Sequence, residues 1–253
     1  MDPAPLAATA ALVAGAFCLL TLDRWLRRRA PQDLAWTVAM ALFVLGAMSL
    51  WWAESRGWSA ASFRMFFLAG AVLNVPWLAL GTIYLLFGQR AGHAVRWWLV
   101  ILSGFATGVV LVAPMKAVVD PEAFPTAKEL FGPLPRVLAA VGSGLPAVVI
   151  IAGALWSALR VARGRIPAVT NTARRTALRP QLLALGNVLI ALGAIILSAS
   201  GTLAGRLGKD TAFAVTLVAG VVVLFAGFMV ASNAVTPKRT VNATLAAVLS
   251  PSR

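Results

Sequence analysis

Long apolar runs dominate this chain, and its polar positions gather in short groups between them. A helix that crosses about 30 Å of hydrocarbon needs roughly 20 mainly apolar residues. Seven stretches reach that length, at 5–22, 34–53, 66–88, 97–114, 137–159, 182–203 and 212–232. Closed barrels span membranes with segments of about ten residues that alternate apolar and polar, and these runs are longer and continuous. The pattern predicts an all-α, polytopic transmembrane bundle of seven helices occupying 1–236. A basic tail follows at 237–253, where Val241, Leu245, Val248 and Leu249 have the spacing of a short amphipathic helix on a membrane surface.

Composition agrees with that reading. Of 253 residues 60% are hydrophobic and 12% charged, against about 25% charged in soluble domains, so a water-soluble globule is excluded. The net charge of +14 is then a topology signal. Arg24, Arg27, Arg28 and Arg29 follow the first apolar run, whereas 1–6 carry no positive charge, the reverse of a cleaved signal peptide. An uncleaved anchor with its N-terminus outside is predicted. Alternating the loops puts the basic clusters at 24–29, 90–96, 160–179 and 238–253 on one side, and Arg56, Arg64, Lys116, Lys128, Arg136, Arg206 and Lys209 on the other. Acids sort oppositely, with only Asp23 and Asp33 on the basic side, so the chain should run N-out, C-in. Anionic lipid headgroups are the partner this basic face suits, with Arg27, Arg28, Arg29, Arg174 and Arg175 as candidate contacts. A second copy of the chain or another membrane protein is the other expected partner. Nucleic acid is not expected, because no folded reader domain is present.

Two fragments match without gaps: 42–50 reads LFVLGAMSL and 189–197 reads LIALGAIIL, 147 positions later. With the likeness of 13–17 to 151–155, this hints at a parallel repeat of helices 1–3 and 5–7 with helix 4 as linker. Gly104 with Gly108, and Gly201 with Gly205, have the GxxxG spacing that lets helices approach closely, inside a bundle or between protomers.

The least generic stretch runs from Trp51-Trp52-Ala53-Glu54 through Trp58 and Phe63-Arg64-Met65-Phe66-Phe67 to Leu73-Asn74-Val75-Pro76-Trp77 and Tyr84. Across roughly 42–88 it resembles uncharacterised multi-pass membrane proteins of high-GC actinobacteria. That resemblance implies a bacterial inner-membrane protein and brings no activity and no functional residue.

Candidate chemistry is sparse. One Cys (Cys18) and one His (His93) leave no dithiol and no bis-histidine haem. Helix 7 has no Lys for a retinal Schiff base, and His93 falls in the predicted loop after helix 3, away from any buried Ser. No enzyme and no cofactor is expected. In the long loop 115–136, Thr126-Ala127-Lys128-Glu129 has capping-box spacing and predicts a short helix rather than a metal site built from Asp120, Glu122 and Glu129. Glu54, among Trp51, Trp52 and Trp58, is expected to pair with Arg64 across the helix 2–3 turn. At the midplane, Asn74 precedes Pro76, which lacks the N–H that the Val72 carbonyl would receive in a regular helix. Asn74, Pro76, Tyr84 and Asn187 are therefore candidate ligand or pathway residues. Two function classes follow: a non-catalytic receptor-like sensor, scaffold or lipid-binding protein, and a transporter or channel for a small neutral solute.

Overall fold

The computed structural model describes residues 3–163, 188–197 and 210–233, with positions 182, 185 and 186; the predicted tail, Arg174, Arg175 and Asn187 lie outside the described residues. Its elements are α1 (Pro3–Arg28), α2 (Pro31–Arg56), α3 (Ala60–Phe66), a π-helix (Phe67–Leu73), α4 (Asn74–Val112), α5 (Ala127–Leu130), α6 (Pro133–Ala162), α7 (Val188–Leu197) and α8 (Asp210–Asn233). Five stretches are long and apolar enough to cross a membrane: Ala4–Arg28, Pro31–Arg56, Ala60–Tyr84, Phe87–Val112 and Pro133–Ser157. This is an all-helical, multi-pass membrane protein.

α1 and α2 form a hairpin through Arg29 and Ala30. Pro31 opens α2, where its missing N–H is not needed. The buried face of α1 is small, with Ala7, Ala10 and Ala14 fully enclosed, so α2 can lie close against it. Ala7 clusters with Leu50, then Ala10 and Ala14 with Phe43 and Ala47, then Phe17 with Ala39 and Met40, which is the order of an antiparallel pair. α8 packs on the same α1 face, its Val221 beside Ala10 and Ala14 and its Phe225 and Phe228 against Phe17.

The third span begins earlier than 66. Ser59 and Ser62 form a capping box, each hydroxyl accepting from the other residue's backbone N–H, and this starts the helix at Ala60. The expected loop between the third and fourth spans is reduced to one residue. Gly88, at φ 83° and ψ 179°, is the single non-helical position inside α4, in a region open to glycine and strained for any other residue. The arm after Gly88 folds back along the arm before it: Trp77 Nε1 donates to Ser103 Oγ at 3.2 Å, and Tyr84 Oη lies 3.1 Å from His93 Nδ1. His93 thus belongs to a helix rather than to the loop that the polar run 88–96 implied.

The other helices add to this core. α6 runs beside the first arm of α4, with Ile150 against Ala79, and stays helical through Pro146. α7 and α8 meet closely, since a Cβ at Gly193 would stand 2.6 Å from the Leu224 nitrogen and one at Gly227 2.7 Å from the Ile190 nitrogen. Large apolar side chains face outward from the returning arm of α4 (Trp97, Trp98, Ile101, Phe105) and from α6 (Leu134, Val137, Val141, Leu145). Such surfaces suit hydrocarbon as a solvent.

Candidate functional site

The third span carries the irregularity that Asn74 and Pro76 predict, in a different form. It is not an unwound gap. The helix widens to π geometry over Phe67–Leu73, and the Asn74 N–H reaches the Ala69 carbonyl five residues back. An inserted π turn is frequent at functional positions. Pro76 follows at once. Gly142 of α6 closes on the carbonyl that Pro76 cannot serve; a Cβ there would come within 2.9 Å of the Val72 oxygen.

Asn74 lies in the middle of the Ala60–Tyr84 span and is 6% exposed. Its Oδ1 is enclosed and has no hydrogen-bond partner among the described residues. α2 lies close along this span. Gly70, one turn before Asn74, and Gly81, two turns after it, are both contact points for α2: a Cβ at Gly46 would sit 3.2 Å from the Gly70 nitrogen, and one at Gly81 would overlap the Trp36 indole. Asn74 shares that face by helical periodicity. The two helices are therefore close on this face of the span. Tyr84 is also buried, but its hydroxyl is already engaged with His93. Asn187 lies outside the described residues.

At one end of the bundle, residues 113–132 fold over the helix termini. Trp58 N–H donates to Pro121 O at 2.9 Å, Lys116 N–H to Leu130 O at 2.9 Å, and Met115 bridges to Phe131. The short helix expected near Thr126 is present as α5, but the Thr126 side chain makes no capping bond. Beneath the loop, Trp58, Phe63, Phe66, Phe67, Phe124 and Phe131 form a continuous set of ring contacts, with centroids 5.1–6.4 Å apart.

Arg64, the expected partner of Glu54, donates to the carbonyls of Val110, of Leu111 at 2.9 Å and of Ala113 at 2.7 Å, and lies over the Phe131 ring. The physical reason is the folded-back arm of α4. Its C-terminus presents carbonyls with no intrahelical donor, and a planar guanidinium with five N–H donors can serve several of them at once. Glu54 Oε1 accepts from Trp58 Nε1 at 3.2 Å.

At the opposite end, the α1–α2 turn contains an arrangement that the charge pattern did not reveal. Asp33 is 2% exposed, and the Arg24 Nε lies 3.9 Å from its Oδ1. Arg24 also stacks on Phe228 of α8, 4.8 Å from the ring centroid. Of the candidate lipid contacts, Arg27 pairs with Asp23 at 2.9 Å, Arg29 lies over Trp25, and Arg28 is exposed. The turn of two residues, Arg29 and Ala30, lets positions 24 and 33 come together.

The fold and its broken span define a multi-pass helical membrane protein with a buried polar point. No family model, no curated protein and no solved structure matches the chain.

Proposed function

We propose that the chain is a non-catalytic, receptor-like protein of the bacterial inner membrane that senses a small uncharged hydrogen-bond donor at Asn74. In this reading it has seven spans, N-out and C-in, with α7 and α8 belonging to the last two. Arg27, Arg28, Arg29, Arg174 and Arg175 face the anionic leaflet, and the chain works beside a second copy or a membrane partner. The observation that carries the reading is the Asn74 Oδ1, enclosed without a partner beside a π turn and Pro76. A buried acceptor left unmade costs about 1–3 kcal/mol, and a ligand hydroxyl or amide N–H would recover that energy. The π turn gives the span a second hydrogen-bond register, so that occupancy at Asn74 can be passed along the helix. Sensing is favoured over passage because both ends of the span are tied, by the aromatic clasp at one and by Trp36 on Gly81 and the Tyr84–His93 contact at the other.

A transporter of small neutral solutes is the second reading. It is favoured by the matched fragments, whose aligned glycines Gly46 and Gly193 both serve as close-contact points against a neighbouring helix. Purified protein and proteoliposomes separate the two. Acetamide, ethylene glycol and glycerol at millimolar concentration serve as probes for thermal stabilisation and for vesicle swelling. Sensing predicts stabilisation by at least one probe, lost in Asn74→Leu, with swelling equal to that of empty vesicles. Faster swelling that Asn74→Leu abolishes would replace sensing with transport. Probe responses unchanged by Asn74→Leu would overturn the assignment of the site.

A further inference from the structure

Arg24 is the most unusual cation in the described structure. Its Nε is enclosed without a hydrogen bond, and none of its donors is committed to an acceptor among the described residues. A ring face (Phe228) and one carboxylate at 3.9 Å, beyond hydrogen-bond length, hold the guanidinium in place. That leaves a preoriented planar fork with its bonds unspent, the geometry that binds phosphate with two parallel N–H···O contacts.

Neighbouring charges point the same way. Arg28 lies one turn beyond Arg24 on the α1 face that carries Phe17, and it interacts electrostatically with both Arg24 and Asp33. Arg28 makes no hydrogen bond or ion pair among the described residues, whereas Arg27 is matched by Asp23. This corner therefore holds two arginines against one carboxylate, a surplus of one positive charge. α2 begins here too. Its first turn starts at Pro31 after Ala30, whose side chain makes no capping bond, so the positive end of the α2 dipole adds to the surplus. Asp33 of α2 and Phe228 of α8 both lie against Arg24 of α1.

We propose that Arg24 and Arg28 form a binding site for a phosphate group, set between α1, α2 and α8 at the end of the bundle that carries the α1–α2 turn. The phosphate is the diester of an anionic lipid headgroup or a free phosphate, and the recognition chemistry is the same for both. Binding draws Arg24 away from Asp33 and ties α8 to the α1–α2 hairpin. The site is independent of the Asn74 reading.

Full-length protein in a neutral detergent tests this, with thermal unfolding and native mass spectrometry as readouts. The probes are inorganic phosphate, phosphatidylglycerol and phosphatidylcholine, and chloride matched for ionic strength is the control. Stabilisation by phosphatidylglycerol but not by inorganic phosphate assigns the lipid diester. The reverse assigns a free anion, and a response to both assigns the shared group. Arg28→Gln, at an exposed position that should leave folding intact, should weaken binding about ten-fold. Arg24→Lys keeps the charge and loses the fork, and should weaken it similarly. Asp33→Asn removes the competing carboxylate and should tighten binding. A purely structural role for Arg24 would not produce that gain. No shift with any phosphate probe beyond the chloride control would overturn the proposal, and so would a shift that survives unchanged in the Arg24→Lys/Arg28→Gln double variant.

Discussion

Arg64 offers the sharpest test of how the clasp is held. The last carbonyls of a helix lack intrahelical donors, and Arg64 serves three of them at the end of α4, those of Val110, Leu111 and Ala113. Two of these bonds are partly buried and the third, to Leu111, is exposed. A hydrogen bond to a charged group contributes about 1.5–3 kcal/mol where water cannot replace it. Counting the two sheltered bonds at the low end and leaving the exposed one to water gives about 3 kcal/mol for Arg64→Gln. Arg64→Lys keeps a cation near the helix C-terminus, worth about 0.3–1 kcal/mol, and one of the bonds, so about 1–2 kcal/mol should be lost. Equilibrium unfolding in detergent micelles reads the size of the loss, and limited proteolysis within 113–132 reads its location. A double-mutant cycle with Glu54→Gln completes the test. Because three Arg64 bonds go to carbonyls, its coupling to Glu54 should be smaller than the loss in Arg64→Gln, under about 1 kcal/mol. The reasoning fails if Arg64→Gln is as stable as wild type, or if the coupling exceeds about 1 kcal/mol.

Asn74→Leu replaces an orphan acceptor with an apolar side chain of similar size, so the variant should be about 1–2 kcal/mol more stable in detergent while losing any probe response; destabilisation would mean that the amide is satisfied. Gly88→Ala should cost about 1–3 kcal/mol through backbone strain alone, because a Cβ there meets nothing within 4 Å, and unchanged stability would show that the α4 hairpin does not need this conformation. Gly227→Ala should cost about 1–3 kcal/mol by forcing α7 and α8 apart. Gly104→Ala, on an open face, should be neutral or slightly stabilising; a loss there, or a change of mass in detergent, would show that the GxxxG face of Gly104 and Gly108 contacts another protein.

The spans were legible because the hydrocarbon imposes one condition, about 20 apolar residues in a row, and local sequence either meets it or does not. Boundaries were less legible. The third span was expected from 66 because Arg64 looked like a loop residue, yet the Ser59–Ser62 capping box lies upstream and the guanidinium has partners beyond its own helix. A single Gly88 standing in for a loop was also hidden. The polar run of Gln89, Arg90 and His93 resembles a connection, and only the pairing of Trp77 with Ser103 and of Tyr84 with His93 shows that these residues continue a helix. The α1–α2 turn was hidden as well: spans ending at 22 and starting at 34 left 23–33 as a connection, whereas α1 runs to Arg28 and α2 starts at Pro31.

The candidate site divides along the same line. That the third span breaks near Asn74 follows from Pro76, because a missing N–H is a property of the residue itself. That the amide has no partner does not follow, because it depends on which helix lies opposite and how near it comes. α2 comes near through Gly46 on Gly70 and Trp36 on Gly81, positions that nothing in the local sequence of α4 specifies. The pairing of Arg64 with the end of α4 and the stacking of Arg24 on Phe228 are likewise contacts between residues far apart in the chain. The charge pattern grouped Arg24 with the basic cluster at 24–29 and gave Arg64 the nearest acid, which treats a membrane boundary as though only charges could satisfy charges. At a helix terminus, unspent carbonyls and aromatic faces also take a guanidinium's donors, as the carbonyls of Val110, Leu111 and Ala113 do for Arg64.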